Sequence, residues 1–577
     1  MALLSVFRAV VPTRGRFVLP PRAVRRILSS SSYRSQDATK DYPSRPGRII
    51  LESPFPPVTI PDMTLPEYVW QNVDKWADST AMVCAASGLS YTYRALRDES
   101  RGFACALLLA LGLRPGDTLG VHLHNSPLFA AVVLGANEAA LVVTFSNPLY
   151  TPDEVRRQYA GSKVRCCVTS SALLGVVREA APDLPVVVVD ADDDCAGSRA
   201  LSYRRLVRES RRAELPRADP ASLAALPYSS GTTGAPKGVM LSHRNLVSNL
   251  QMVHHPDLSF FRPSSATSHE RVLSVIPLYH IYGYNTIMNV VLRCGAELIT
   301  LPKFVPEDYL NALLKYKPTF LFVVPSLMLF LATHPSVTSE HLRSVEKMMS
   351  GAAPAPKNLI QKFRAKADHI ETMQGYGMTE ASPVLLVAHH HFPRSKTGSA
   401  GQVTPSTQCR VVDVDSGRDL GPHQPGQLLF RGPQVMMGYF DNPEATRETL
   451  DEEGWLHTGD VAYYDEEGYT YIVDRTKELI KVKGNQVSPT ELENIIIELP
   501  GVTDVAVVGV PDERAGEIPR AFVVLGKDSP VTECDIVDHL EPRVAPYKRL
   551  AGGVRFVDAI PRSPAGKVLR QQLKTLV

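Results

Sequence analysis

Tyr228-Ser229-Ser230-Gly231-Thr232-Thr233-Gly234-Ala235-Pro236-Lys237-Gly238-Val239-Met240-Leu241-Ser242-His243-Arg244-Asn245 is the stretch on which the reading of this chain turns. Residues 224–228 read as the end of a short apolar strand, and residues 241–250 as a helix with Ser242 at its N-cap. Between them the side chains are small except for Lys237. A strand, a Gly/Ser/Thr loop and a helix make a ready anion site. Glycines let the backbone approach, hydroxyls and N–H groups donate, and one lysine neutralises charge. A nucleotide polyphosphate is the natural guest. The Walker pattern is not met, because Lys237 stands before Gly238 rather than before Ser or Thr. Taken alone, the run also reads as a flexible surface loop.

The order Ser-Ser-Gly-Thr-Thr-Gly-Ala-Pro-Lys-Gly at 229–238 resembles the signature loop of the adenylate-forming superfamily. That superfamily includes acyl-CoA synthetases, plant 4-coumarate–CoA ligases, beetle luciferases and peptide-synthetase adenylation domains. Further motifs follow in the family's order. Gln374-Gly375-Tyr376-Gly377-Met378-Thr379-Glu380 is similar to its adenine-binding segment. There the glycines permit close backbone approach, Tyr376 offers a flat face for a purine, and Thr379 and Glu380 offer oxygens to a Mg²⁺ between phosphates. Gly454-Trp455-Leu456-His457-Thr458-Gly459-Asp460 resembles the motif whose Asp accepts from both ribose hydroxyls. Asp474-Arg475-Thr476-Lys477-Glu478 resembles the junction between the two domains, with the hinge at Lys477. Pro561 to Arg570 resembles the terminal loop that carries the catalytic lysine, here Lys567.

Composition is consistent with such an enzyme. At 577 residues the chain is too long for one compact core. A net charge of +2 gives no bulk case for nucleic acid or an acidic membrane. The 8 cysteines are scattered, with no zinc spacing. Residues 1–36 hold no Asp or Glu but seven arginines and a serine run, the composition of a mitochondrial transit peptide. The expected location is the mitochondrial matrix, with the cytoplasm as the alternative. The apolar stretch 320–332 is broken by Pro325 and falls short of the roughly 20 residues a membrane span needs.

Short apolar strands alternate with helices from residue 65 onward, which implies parallel sheets with right-handed crossovers. Helices are expected at 98–111, 126–138 and 152–162, and strands at 118–123, 140–145, 165–169 and 186–190. Residues 401–471 change to short strands and Gly turns. The fold class is therefore α/β: a large N-terminal domain of parallel αβα sheets with a small β-barrel-like subdomain (55–475), and a small mobile α+β domain (478–577). The acidic run 190–194 reads as a solvated turn, and His389-His390-His391 as a solvent-facing loop without metal spacing.

The resemblance assigns roles residue by residue. Ser229, Ser230, Gly231, Thr232, Thr233 and Lys237 would bind the ATP phosphates, with Thr232 and Glu380 at the metal. Ala352, Gln374, Gly375, Tyr376, Thr379, Asp460 and Arg475 would bind the AMP portion. Tyr282, Thr286, Ala352, Gly375 and Pro383 would face the acyl group, and His280 the thiol tunnel. Lys303, Lys483 and Gly484 would meet CoA. Lys567, His280, Lys481 and Gln486 are the catalytic set. The implied reaction consumes ATP, Mg²⁺ and CoA and joins a fatty or aryl carboxylic acid to CoA through an acyl-adenylate. A carrier-protein adenylation enzyme, a luciferase-like oxidase and a non-catalytic nucleotide binder are the alternatives. A monomer or homodimer is expected.

Overall fold

The computed structural model describes residues 47–194, 200–210, 213–229, 236–258, 260–262, 264, 269–389, 392–475, 478–482, 485–512, 514–563 and 566–576. The residues 1–36, 230–235, 477, 483 and 484, to which the sequence assigns roles, lie outside them.

Among the described residues, two nine-stranded sheets form the large domain. The central strands of the first, Val142–Phe145, Thr118–His122, Val164–Thr169 and Val186–Val188, run parallel. So do the central strands of the second, from Thr80–Cys84 through Glu297–Thr300, Arg271–Ser274, Phe320–Val323 and Lys347–Ser350 to Glu371–Gly377. Strands covered on both faces are nearly all apolar rather than alternating: Phe320–Val323 is apolar throughout, and Val142–Phe145 carries Thr144 as its one polar residue. The helix Pro127–Glu138 is buried along nearly its whole length. It lies against the helix Tyr93–Leu109 so closely that a Cβ on Gly135 would meet the Ser100 carbonyl oxygen at 2.5 Å.

A five-stranded antiparallel sheet forms the third unit, with Gln408–Val412, Gly426–Arg431, Leu456–Tyr464 and Thr470–Arg475 in order. Its outer edge is closed by Leu51–Glu52, and Val58 N–H donates to Ser406. The Pro-rich leader thus runs along this sheet from residue 51 to 58. The C-terminal domain is a second five-stranded sheet with the helices Pro489–Ile496 and Glu533–Leu540 packed on one face. Its core clusters around Val487, Leu492, Val507, Val523 and Leu540.

Several expectations are corrected. The signature loop does not lead straight into a helix. It connects Tyr228–Ser229 to the strand Lys237–Ser242, with Ser229 opposite Lys237 in antiparallel register. The helix His243–Val253 begins only after that strand, capped as expected by Ser242, which accepts from Asn245 N–H. The β-branched and apolar run Val239-Met240-Leu241 is the local cause: it fits a buried strand between neighbours. The first large helix starts at Tyr93, five residues before the expected 98, because Thr92 caps it. Residues 374–377 are part of a strand rather than a loop after one. Of residues 484–486, which read as a loop after the strand 480–482, Asn485 and Gln486 pair with that strand. His389 is half-buried against Tyr469 instead of facing solvent. The acidic run 190–194 does behave as a turn, with Asp192 and Asp194 on Arg204 and Arg205.

Gly283 sits where any Cβ would overlap the Pro277 carbonyl oxygen. Gly283→Ala is expected to lower stability by at least about 2–3 kcal/mol in denaturant unfolding. Gly175, in the helix Leu174–Ala180 with open space around it, is the control. Gly175→Ala is expected to raise stability, by up to about 1 kcal/mol.

Candidate active site

A cavity of about 490 Å³ lies between the large domain and the C-terminal domain. Its size suits a nucleotide-sized guest. Ala352, Gln374, Gly375 and Tyr376 reach it from the C-terminal ends of adjacent parallel strands, the edge where open α/β sheets bind ligands. Asp460 and Arg475 reach it from the antiparallel sheet, and Lys567 from the C-terminal loop.

Asp460 is the centre of this wall. It is buried and stands opposite Arg475 in the ladder. Its Oδ2 accepts from Tyr376 Oη at 2.5 Å and its Oδ1 pairs with Arg475 Nε at 3.2 Å. Burial pushes the Asp460 carboxyl above its ordinary pKa, against the pull of Arg475 and Tyr376. Burial and the Asp460 charge together push the Tyr376 phenol far up, so it stays a donor. One face of Tyr376 lies over Phe430, at 6.2 Å between centroids. Gln374 is already committed: its Oε1 accepts from Ala355 N–H at 2.9 Å and its Nε2 donates to Ser399 O at 3.3 Å. It shapes the turn at Ala352, whose φ of 67° is a strained left-handed conformation for alanine. Gly375 has ordinary room for a Cβ, but one on Gly377 would overlap the Pro383 carbonyl. The close approach that Gly377 permits is therefore to the returning chain.

Lys567 is half-buried, and burial, with Arg475 next, brings its amine down to about 8. A second cluster adjoins the loop. Tyr439 Oη donates to buried Glu380 Oε1 at 2.8 Å, and Lys237 Nζ sits 5.0 Å from the centre of the Tyr439 ring. Among the described residues no three His, Cys, Asp or Glu side chains form a metal cluster. Glu380 and its neighbour Thr379 offer hard oxygen donors, a set that suits Mg²⁺ when phosphates supply the remaining ligands.

The comparisons fit this geometry. The model of the AMP-binding enzyme family matches residues 69–440, and that of the AMP-binding enzyme C-terminal domain matches residues 491–567. The chain belongs to the AMP-binding enzyme family. It is 39% identical over 538 residues to 4-coumarate–CoA ligase 2 of Solanum tuberosum, covering 92% of this chain and 96% of that one. With 4-coumarate–CoA ligase 3 of Oryza sativa subsp. japonica it shares 40% over 537 residues, covering 91% and 94%. The ATP-bound structure of MatB from Rhodopseudomonas palustris matches with a TM-score of 0.79 at 29% identity, over 89% of this chain and 99% of that one. A benzoate CoA ligase from Burkholderia xenovorans LB400 matches in fold, with a TM-score of 0.80 at 24% identity, over 89% and 100%.

Tyr282 and Thr286, which the sequence reading gives to the acyl group, lie in the segment that packs on Gly351. Tyr282 is buried, packs on Gly351 within 3.0 Å of where a Cβ would stand, and meets Phe322 edge-on. Thr286 is buried with no hydrogen-bond partner for its Oγ1 among the described residues. Both belong to the wide π-helical segment Tyr282–Asn289, a rare form frequent at functional sites. Asn285 Nδ2 donates to Ser382 O at 2.6 Å and so ties that segment to Pro383. His280 Nδ1 accepts from Tyr282 N–H at 3.2 Å, and loss of water brings its pKa down to about 4, leaving it neutral at pH 7.

Other expected residues stand apart. Lys303 is exposed on the large domain beside His124, whose pKa falls mainly through burial and then through that lysine. Lys481 is exposed, its N–H bound to Glu517 Oε2 at 2.9 Å, and in register with Gln486. Lys481 is not among the described residues that line the cavity with Lys567. The sequence reading missed Tyr439, which sits in a run without a glycine-rich signature, and named Asp474 only as part of the domain junction. It quoted Arg570 without giving it a role.

The Lys567 amine loses its proton near pH 8 in the folded protein and near its ordinary 10.5 in the unfolded chain. Unfolded protein thus binds more protons between these values, and the Lys567 contribution to stability rises with pH across that window. Labelling with an amine-reactive ester, followed by mass spectrometry, is expected to give Lys567 a midpoint near pH 8, below the ordinary 10.5 of a lysine amine.

Proposed function

We propose that this chain is an ATP-dependent acid–CoA ligase that forms an acyl-adenylate with release of pyrophosphate and then passes the acyl group to CoA with release of AMP. The observation that carries the reading is Lys567 in one cavity with the Asp460, Arg475 and Tyr376 cluster. The 4-coumarate–CoA ligase relatives support the same class.

In the first step a carboxylate oxygen attacks the α-phosphorus and the pyrophosphate oxygen leaves. A carboxylate is a weak nucleophile, so catalysis is positioning and charge neutralisation. Lys567 bridges the acid and the α-phosphate. Asp460 accepts from the ribose hydroxyls while Tyr376 and Arg475 fix its orientation. Thr232, Thr233 and Lys237 hold the departing pyrophosphate. Glu380 and Thr232 would hold Mg²⁺, and its charge would offset that of the phosphates. The second step uses another face of the C-terminal domain, turned about Lys477, which brings Lys481, Lys483, Gly484 and Gln486 to the cavity as Lys567 withdraws. The thiol then attacks the acyl carbonyl, along a route lined by neutral His280, and AMP leaves. Lys303 meets the CoA nucleotide.

The acid is of the fatty or aryl class, enclosed by Tyr282, Thr286, Ala352, Gly375 and Pro383. The Arg-rich, acid-free run of residues 1–36 supports import into the mitochondrial matrix, where a medium- or long-chain fatty acid is the favoured substrate. A fluorescent fusion of residues 1–36 is expected to enter mitochondria, and one starting at residue 37 to remain cytoplasmic.

Pyrophosphate release from ATP and Mg²⁺ with a panel of fatty and aryl acids, with and without CoA, tests the reaction. Thioester formation that depends on CoA is expected. Release that CoA does not accelerate, with no thioester, would refute the ligase reading and favour a carrier-protein or oxidative fate. Lys567→Ala is expected to slow adenylate formation by roughly 10²–10³-fold. Wild-type adenylate formation is expected to fall above about pH 8, as the Lys567 ammonium is lost.

A further inference from the structure

Lys567 reaches the cavity because the C-terminal domain sits where it does, and a carboxylate of the large domain reaches across to that domain. Asp474 lies near the end of the strand Thr470–Arg475 and is buried. Its Oδ2 accepts from Ser488 Oγ at 2.7 Å and from Thr490 N–H at 3.0 Å, and its Oδ1 accepts from Arg475 N–H at 2.8 Å. Ser488 is the N-cap of the helix Pro489–Ile496. An acidic side chain from the other domain thus satisfies one of the free N–H groups in the first turn, at the positive end of the helix dipole.

The same helix continues the connection. Glu493 accepts from Arg570 Nη1, and Arg570 Nε pairs with Glu478 at 2.9 Å. Arg570 Nη1 also donates to Val507 O at 3.2 Å. Arg570 follows Lys567 by three positions in the chain. A continuous path of hydrogen bonds and one rigid helix therefore leads from Asp474 to the backbone that carries Lys567. Lys481, on the other face, takes no part in it.

We propose that Asp474 is a positioning residue for Lys567: its bonds to Ser488 and Thr490 latch the C-terminal domain in the arrangement that forms the adenylate, and they break when the domain turns for thiol transfer. The inference rests on the two-step reading above. A contact made in only one of two arrangements shifts the balance between them by its own free energy and by nothing else. Burial raises the Asp474 carboxyl, while Arg570 and the bonds from Thr490 and Ser488 oppose that shift. Opening the latch returns the carboxylate to water, which moderates the cost of release.

The test uses the full chain and separates the two half-reactions. Pyrophosphate release without CoA reads the first, and thioester formation from chemically prepared acyl-adenylate and CoA reads the second. Asp474→Ala and Ser488→Ala are each expected to slow the first by about tenfold. Each should leave the second unchanged or faster, and the double variant should be no slower than Asp474→Ala alone. Equal slowing of both half-reactions, or multiplicative effects in the double variant, would overturn the latch alone. Wild-type protein that forms adenylate but no thioester would overturn the two-step reading, and the latch with it. Asp474→Asn replaces the alanine variant should that one not fold.

Discussion

The Asp460 carboxylate holds this site together. It is buried on an antiparallel strand, yet one oxygen takes a hydroxyl from the end of a parallel sheet and the other faces the guanidinium of the adjacent strand. A buried carboxylate is costly unless both oxygens are engaged. Meeting that requirement forces Tyr376, Asp460 and Arg475 into one corner. It also sets the distance between the large sheets and the small antiparallel one. The small sheet is therefore part of the nucleotide wall, and its register is a condition of the chemistry.

Charge is divided between two clusters that share little chain. Around Asp460, Arg475 and Lys567 compete for the same negative field, and their mutual repulsion helps hold the Lys567 amine near neutrality. Around Glu380, the Tyr439 hydroxyl donates while its ring lies near Lys237, so one aromatic residue serves an anion and a cation at once. The segment Tyr282–Asn289 is by contrast buried and uncharged, with a neutral histidine just before it. Such a division suits a reaction that joins a polyanion to a largely uncharged acyl group.

Much of this was legible in the sequence, for identifiable reasons. Strands buried on both faces are mostly apolar, so Val142–Phe145 and Val164–Thr169 were found within two residues despite Thr144 and Arg165. Ser126 and Thr151 announced their helices through proline at the next position. Asp460, Arg475, Tyr376 and Lys567 were legible as a set through resemblance, and the cavity brings them together. What the sequence concealed was long-range. Lys237–Ser242 is a strand because it gains partners on both sides, one of them 438–439, some 200 residues away. Gln374 also has a structural task that the sequence did not show: both ends of its amide bond to the turns at Ala355 and Ser399. Asp474 looked like an ordinary residue before a hinge, because the helix it caps belongs to the other domain.

Gly377 passes the Pro383 backbone through a gap too narrow for a methyl group. Two main chains in direct contact leave no side chain to repack, so natural variation has nothing to work with at that point. Around Tyr282 the packing is of another kind, with side chain meeting side chain at Phe322. A substitution there can be absorbed by neighbouring side chains, whereas one at Gly377 has to move the main chain.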